Sequence, residues 1–337
     1  MEKRLKTPSG NYLIRPFLPE DEPGVLALWR KAFGHEIPCA IWDWKFRTNP
    51  FGRQIMLCLH EDTTPVVMFA GLPYPATCNK KNVFVTHAVD NMSHPSFRGA
   101  ISGRKGLFVQ TAELFLQSYA GPDRSVFVYG FPGQRHYRLG KIMLNYTQLP
   151  GGIAYLEADV KDLFRRFQVF SGRIRQVKPE HPIFDQLIHS LASTYPFVVR
   201  RDAQFMQWRF GLHPVHRYEL WTAYTFVGQR PKGYAVVKTE DNQAVVVDVM
   251  LEGDQKTIHA FWSRLARRLA EQGIQKLKTW LPGGHFMVRM LQGCGFVLRT
   301  EPIGFVPAAV ERTFDPKLDF SWAAKNMYYT MADGDLL

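Results

Sequence analysis

The sequence predicts an α/β protein with two similar domains in tandem, each a mixed β-sheet flanked by helices. Two observations predict this fold class. Strand-like and helix-like segments alternate along the chain, and two short motifs each occur twice in the same order. A length of 337 residues is long for one domain and sufficient for two.

The first half of the chain has the predicted order β-α-β-β-β-α-β. Tyr12–Phe17 reads as a strand, and the acidic run 20–22 favours a helix start, because negative charge is stabilised at a helix N-terminus. Gly34 is expected to end this helix. The remaining elements are strands at Arg53–His60, Val66–Leu72 and Val83–Val89, a helix at Leu107–Ser118 and a strand at Ser125–Gly130.

The internal repeat is carried by two motifs. W-[KR]-F-x-x-[NH]-P occurs at residues 44–50 and again at 208–214. Phe131-Pro132-Gly133 follows one strand, and Leu281-Pro282-Gly283 follows another. The second copy contains strands at Tyr218–Tyr224, Gly233–Lys238 and Ala244–Leu251, an amphipathic helix at Asp254–Gln272 and a strand at Lys276–Leu281. We therefore predict domains at 1–150 and 197–310, a partly helical connection at 151–196 and a C-terminal tail at 311–337.

Composition limits the classes of function. The four cysteines are scattered, which favours a reducing compartment and predicts neither a disulfide framework nor a metal site. No apolar run is long enough to cross a membrane, and the basic N-terminus has no apolar segment behind it, so we expect a cytoplasmic protein without a membrane partner. The net charge of +12 favours an anionic partner. Nucleic acid is disfavoured because no recognised binding motif accompanies the charge.

A glycine-rich basic loop at residues 94–106 carries the main indication of chemistry. It follows a strand and opens the Leu107–Ser118 helix. Glycines let a backbone approach a pyrophosphate, and a helix start offers free N–H groups. The residues expected to bind an anionic cofactor here are Arg98, Gly99, Gly103, Arg104, Lys105 and Gly106. An ordinary charged surface turn is the alternative interpretation.

The loop resembles the CoA-binding loop of the GCN5-related N-acetyltransferases (GNAT), in which a strand ends in P-x-[YF]-R-G-x-G. Here Pro95-Ser96-Phe97-Arg98-Gly99 matches that pattern, although the segment from Ala100 to Gly106 is longer than usual. The resemblance extends to Ile14-Arg15-Pro16 and to the segment 131–140, and with the repeat it is of the tandem-GNAT type. It implies an acyl-CoA co-substrate, acetyl-CoA first, held by the loop and by the strand end Val89, Asp90 and Asn91, with no metal.

The second copy lacks this loop. Only Val-Met-Leu-Glu-Gly separates Asp248 from the helix at Asp254. Trp44 and Pro132 are 88 positions apart, whereas Trp208 and Pro282 are 74 apart. We therefore expect a degenerate second domain that binds no cofactor.

The resemblance also nominates groups for catalysis. Tyr137 is the expected acid for the leaving thiolate, with an aromatic packing role as the alternative, and a backbone amide near Val89–Asn91 is expected to stabilise the oxyanion. Asp90, His87 and His94 are candidates for the base; on a regular strand His87 and Asp90 point to opposite faces. In tandem-GNAT relatives the terminal carboxylate is the base, which nominates the Leu337 carboxylate, Asp333 or Asp335.

Three functions compete at this point. The first is N-acyl transfer, acetyl above all, from acyl-CoA to an amine of a small molecule such as an amino sugar, a nucleotide-linked sugar or an amino acid. The second is transfer from an acidic acyl-carrier protein or an aminoacyl donor, which a basic surface would dock. The third is a non-catalytic protein that senses acyl-CoA or binds nucleic acid. The sequence does not predict an oligomeric state.

Overall fold

The computed structural model describes residues 1–98, 103–165, 172–225 and 230–334. The chain divides into two compact units that are not continuous in sequence. The first unit comprises Met1–Pro75, Val83–Gln148 and Pro307–Trp322. The second comprises Ala76–Asn82, Leu149–Val306 and Ala323–Leu337. None of the described helices is both long enough and apolar enough to cross a membrane.

The first 148 residues contain seven strands and four α-helices within the described ranges. In chain order they are β1 (Lys3–Thr7), β2 (Gly10–Pro16), α1 (Glu22–Phe33), α2 (Cys39–Trp42), β3 (Gln54–His60), β4 (Thr64–Cys78), β5 (Lys81–Ser93), α3 (Leu107–Tyr119), β6 (Ser125–Gly130), α4 (Gln134–Leu144) and β7 (Tyr146–Gln148).

The rest of the described chain continues this numbering. Its elements are β8 (Ile153–Asp159), α5 (Val160–Arg165), β9 (Arg173–Val177), α6 (Ile183–Leu191), β10 (Phe197–Val199), α7 (Ala203–Met206), β11 (Glu219–Tyr224), β12 (Pro231–Glu240), β13 (Gln243–Leu251), α8 (Gln255–Glu271), β14 (Lys276–Pro282), α9 (Phe286–Cys294), β15 (Val297–Arg299), β16 (Ala308–Val310), α10 (Phe320–Asn326) and β17 (Met327–Tyr328).

The sheet of the first unit has the order β1-β2-β3-β4-β5-β6-β16-β7. β5 and β6 are parallel. β16 lies between β6 and β7 and is antiparallel to both, although more than 150 residues separate it from β7 in the chain. The first unit therefore completes its sheet with a strand from the far end of the sequence.

The sheet of the second unit has the order β15-β8-β14-β13-β12-β11-β9. β13 and β14 are parallel, and β8 lies between β14 and β15, antiparallel to both. The inserted strand again comes from another part of the chain, because β8 precedes the other strands of this sheet. Residues 151–196, predicted as a connection, thus supply β8 and the edge strand β9. β10 pairs with β17 and with the end of β4, all within this unit.

Most of the elements predicted from periodicity are present. α1 buries Val25, Leu28 and Trp29, and Gly34 ends it in a left-handed conformation with φ 81°. Strands β4 and β5 extend beyond the predicted ranges. Hydrogen bonding to neighbouring strands continues there, although apolar and polar residues no longer alternate in the sequence. The predicted apolar face of α8 is buried, comprising Ile258, Phe261, Trp262, Leu265 and Leu269.

The W-[KR]-F repeat has the same backbone form in both units. In the first, α2 runs directly into a π-helical turn at Asp43–Arg47, and in the second α7 runs into one at Gln207–Gly211. The central cation of each turn, Lys45 or Arg209, is buried. π-Helical turns are rare and are often found at functional sites, so their recurrence confirms the structural repeat.

Candidate active site

The candidate site of the first unit lies where β5 runs past β6. These two strands pair from Phe84 to His87 on β5 and from Ser125 to Tyr129 on β6, and their pairing ends there. β5 continues to Ser93. Parallel strands that stop pairing open a crevice at their carboxyl ends, the usual place for a ligand in an open α/β sheet.

Asp90 breaks the regular geometry of β5 beyond this point. Its φ of 51° lies in the left-handed region, which aspartate tolerates better than most residues. Next to it, the Asn91 Oδ1 accepts a 2.9 Å hydrogen bond from the backbone N–H of Ala70 on β4. Val89 is buried. The strand is therefore irregular here. The alternation of side chains on a regular strand, which predicted opposite faces for His87 and Asp90, does not apply to this stretch.

A buried ion pair joins Asp90 to the W-[KR]-F motif. The Lys45 Nζ donates to Asp90 Oδ2 at 2.7 Å, and the two side chains are only 6% and 10% exposed. An ammonium at this distance stabilises the ionised carboxylate. Lys45 is a site residue that no pattern in the first unit alone indicated. Its signal was present in the repeat, because both copies place a cation between two aromatic residues.

The basic loop leads from β5 to the start of α3. Arg98 is exposed, and its Nη2 donates to the Ser93 carbonyl at 3.2 Å. Gly103 has a φ of 67°, and within the described part of the chain no atom lies within 4 Å of the position a Cβ would take. Gly106 is the N-cap of α3, and as a glycine it supplies no side chain to the helix start. Gly99 and the following residues to 102 lie outside the described residues, as does the side chain of Arg104.

Tyr137 and the two histidine candidates occupy different environments. Tyr137 is half-buried in the first turn of α4, where its N–H donates to the Gly133 carbonyl at 2.9 Å. His87 is buried, and its ring stacks on Tyr129 with centroids 5.3 Å apart. The His94 Nδ1 accepts from the N–H of Ser96 at 3.2 Å. The His94 side chain therefore caps the short helical turn at Pro95–Phe97.

The equivalent place in the second unit is arranged differently. Pairing of β13 with β14 likewise ends early, at Val246 and Thr279, and β13 continues to Leu251. However, the helix that follows is capped by a carboxylate, because Asp254 accepts a 2.9 Å hydrogen bond from the N–H of Thr257. A negative charge thus stands at the helix start where the first unit has Gly106.

The C-terminal candidates for the base are only partly described. Asp335 and the Leu337 carboxylate lie outside the described residues. Asp333 is 1% exposed and is held inside the second unit by Arg201, whose Nη2 donates to its Oδ2 at 2.6 Å. Burial raises the pKa of Asp333, and Arg201 opposes that shift. Asp333 is therefore bound by Arg201 within the second unit, and its role as a base stays a prediction.

Comparison with known proteins shows the fold. No protein-family model and no curated protein matches the sequence. Among solved structures, a probable N-acyltransferase from Enterococcus faecalis V583 has a TM-score of 0.67 at 14% identity, covering 90% of this chain and 73% of that one. A GCN5-related N-acetyltransferase from Anabaena variabilis has a TM-score of 0.65 at 15% identity, covering 92% and 72% respectively.

A third structure bears on the repeat. A tandem GNAT protein from the clavulanic acid biosynthesis pathway is similar with a TM-score of 0.53 at 13% identity, covering 88% of this chain and 97% of that one. The chain therefore has the GNAT fold in its tandem form, as the sequence predicted.

Proposed function

We propose that the protein is an acyl-CoA-dependent N-acyltransferase that transfers an acyl group, acetyl above all, to an amine of a small molecule. The observation that carries this proposal is the contrast between the two units. The first has an open strand end followed by a basic, glycine-rich loop and a helix start at Gly106. The second has a carboxylate at the matching helix start.

The residues proposed to hold acyl-CoA follow the path of the chain from β5 to α3. The backbone of Val89, Asp90 and Asn91 would lie along the thioester end of the co-substrate, because pairing with β6 has ended there. The residues proposed for the pyrophosphate are Arg98, Gly99, Gly103, Arg104, Lys105 and Gly106. Backbone N–H groups at a helix start and nearby cations are well suited to phosphate oxygens.

Asp90 is proposed as the base and Tyr137 as the acid. The amine nitrogen bonds to the acyl carbon while the carbon–sulfur bond breaks. Asp90 takes the proton from the amine, and the Tyr137 hydroxyl gives one to the departing sulfur. Lys45 bears on the first role by position, because its Nζ, 2.7 Å from Oδ2, holds the Asp90 carboxylate at the open end of β5. The Leu337 carboxylate stays the alternative base.

An acidic acyl-carrier protein is the second candidate donor, and the surface of α4 favours it. Residues Arg135, Arg138, Leu139 and Ile142 are all exposed and share one face of this helix at helical spacing. Leu139 is 50% and Ile142 64% exposed. Two cations beside two apolar side chains suit an acidic amphipathic helix.

The test is calorimetric titration of the purified protein with acetyl-CoA. We expect one acetyl-CoA per chain, with binding weakened at least tenfold in Arg98→Glu, because the substitution places a negative charge beside the pyrophosphate. Arg267→Glu is the matched control, since Arg267 is an exposed arginine on α8 of the second unit. Absence of binding at millimolar acetyl-CoA, together with binding of an acyl-carrier protein, would replace the first candidate donor by the second.

A further inference from the structure

The crevice of the second unit is filled by the chain itself. β13 continues for five residues beyond its pairing with β14, from Val247 to Leu251, and β12 covers only one edge of this stretch. The backbone groups along the other edge need partners, because buried peptide groups are almost always hydrogen-bonded. Two tyrosine hydroxyls supply partners for three of these groups.

The Tyr195 hydroxyl takes both backbone groups of Leu251, donating to its carbonyl and accepting from its N–H, each at 2.9 Å. The Tyr328 hydroxyl donates to the carbonyl of Val249. The two rings meet edge-on with centroids 4.6 Å apart, and the His285 ring lies 4.6 Å from Tyr328. Tyr328 thus enters a pocket formed by the end of β13 beyond its pairing with β14, by Tyr195 and by the start of α9.

The residues after Tyr328 continue along the same crevice. The Thr330 hydroxyl donates to Asp248 Oδ1 at 2.7 Å, and the Thr330 N–H donates to the Asp333 carboxylate at 2.8 Å. The Tyr329 hydroxyl donates to the Gly152 carbonyl at 2.7 Å. This segment is therefore bound through side chains and backbone together, as a peptide ligand is.

Two buried arginines secure the end of the segment. Arg209, the central cation of the second W-[KR]-F motif, donates from Nε to the Ala332 carbonyl at 3.0 Å and from Nη2 to the Gly334 carbonyl at 2.6 Å. Arg201 spans Asp248 at 2.9 Å and Asp333 at 2.6 Å. The buried group thus contains two arginines, Arg201 and Arg209, and two aspartates, Asp248 and Asp333. The segment supplies one of these two carboxylates, that of Asp333.

We propose that the crevice of the second unit is a peptide-binding site whose resident ligand is the chain's own C-terminal segment, Met327–Gly334. One recognition element is the aromatic pocket that holds Tyr328. The others are the Arg209 guanidinium, which binds backbone carbonyls, and the Arg201 guanidinium, which binds an aspartate five residues after the tyrosine. The site occupies the position where the first unit has its candidate acyl-CoA crevice. The proposal does not depend on the first unit's activity.

The test uses the whole 337-residue chain with a weakened segment. Tyr328→Ala combined with Asp333→Ala should lower Tm by about 10 °C, because an aromatic anchor and a buried charge partner are both lost. A synthetic peptide of residues 327–334 with the natural sequence should then raise the Tm of this variant. A peptide carrying the same two alanines is the matched control and should have no effect.

A second measurement keeps the proposal testable if the double variant does not fold. Tyr328→Phe removes only the hydroxyl group and should lower Tm by about 3 °C. In the wild-type protein, hydrogen exchange should protect the amides of Thr330 and Asp333 as strongly as those of β13. Rapid exchange at these two amides, or a double variant stabilised equally by both peptides, would overturn the proposal.

Discussion

Lys45 Nζ lies 2.7 Å from Asp90 Oδ2, joining a π-helical turn to an irregular strand position across 45 residues of sequence. Both side chains are almost fully buried. The cost of burying two charges is recovered only when their geometry is good and other hydrogen bonds are satisfied, so removal of one partner is expected to be severe. The pair also places a carboxylate at the point where β5 leaves β6.

Lys45→Met should therefore impair both stability and turnover. We expect the free energy of unfolding to fall by about 3 kcal/mol, because Asp90 keeps a buried charge without this ammonium. Among the molecules that stay folded, kcat should fall more than the affinity for acetyl-CoA, because the base is misplaced. Urea unfolding and calorimetry measure the two effects. Lys45→Arg keeps the charge and should recover part of kcat; a kcat equal to wild type in the methionine variant would remove Lys45 from the mechanism.

Tyr137→Phe should slow turnover without weakening acetyl-CoA binding. The substitution keeps the half-buried ring and removes the hydroxyl proposed to protonate the leaving thiolate. General acid catalysis of this kind contributes about 100-fold, so we expect a loss of that order in kcat. The measurement is the release of free thiol from acetyl-CoA with an amine found by screening amino sugars and amino acids. Wild-type turnover in the phenylalanine variant would leave Tyr137 a packing role only.

His285 should make the second unit sensitive to mild acid. Burial lowers the pKa of His285 from 6.5 to about 4, so the folded protein favours the neutral ring. The stability that this shift contributes is present above pH 6.5 and is lost as the pH falls from 6.5 towards 4. The slope is at most about 1.4 kcal/mol per pH unit.

His285→Asn is the variant that isolates this effect. His285 caps α9 by accepting from the N–H of Met287 at 3.3 Å, and asparagine is also a good N-cap. Urea unfolding at pH 7 and pH 5 should show a smaller loss of stability on acidification in the variant than in the wild type. Equal losses would mean that the histidine titrates normally in the folded chain.

The first unit should not fold well when it is expressed as residues 1–150. That chain lacks β16, which leaves facing edges of β6 and β7 without their shared neighbour. A designed chain can restore the strand, because Gln148 on β7 pairs with Ala308 on β16 in antiparallel register. Joining residue 148 to residue 308 through Asn-Gly, followed by the rest of 308–322, makes the pair a two-residue hairpin. We expect this chain to be more soluble and better dispersed in NMR spectra than 1–150; the reverse result would contradict the strand exchange.

The sequence alone determined the elements and their repetition. The periodicity of α1 and α8, the glycine stop at Gly34 and the doubled W-[KR]-F motif are local signals, and each corresponds to the observed structure. The absence of the loop before α8 was also evident from the sequence, because the repeated motifs are closer together in the second copy than in the first. The placement of the candidate acyl-CoA residues stays a prediction.

Only the tertiary structure decided which distant residues meet. The ion pair of Lys45 with Asp90, the insertion of β16 beside β6 and the burial of Tyr328 on β13 each join residues that are far apart in the chain. Periodicity reports which side of an element is apolar, since it reflects burial of that element alone. It carries no information about which other segment covers the face or completes the edge, because that choice depends on the closure of long loops and on the packing of the whole unit.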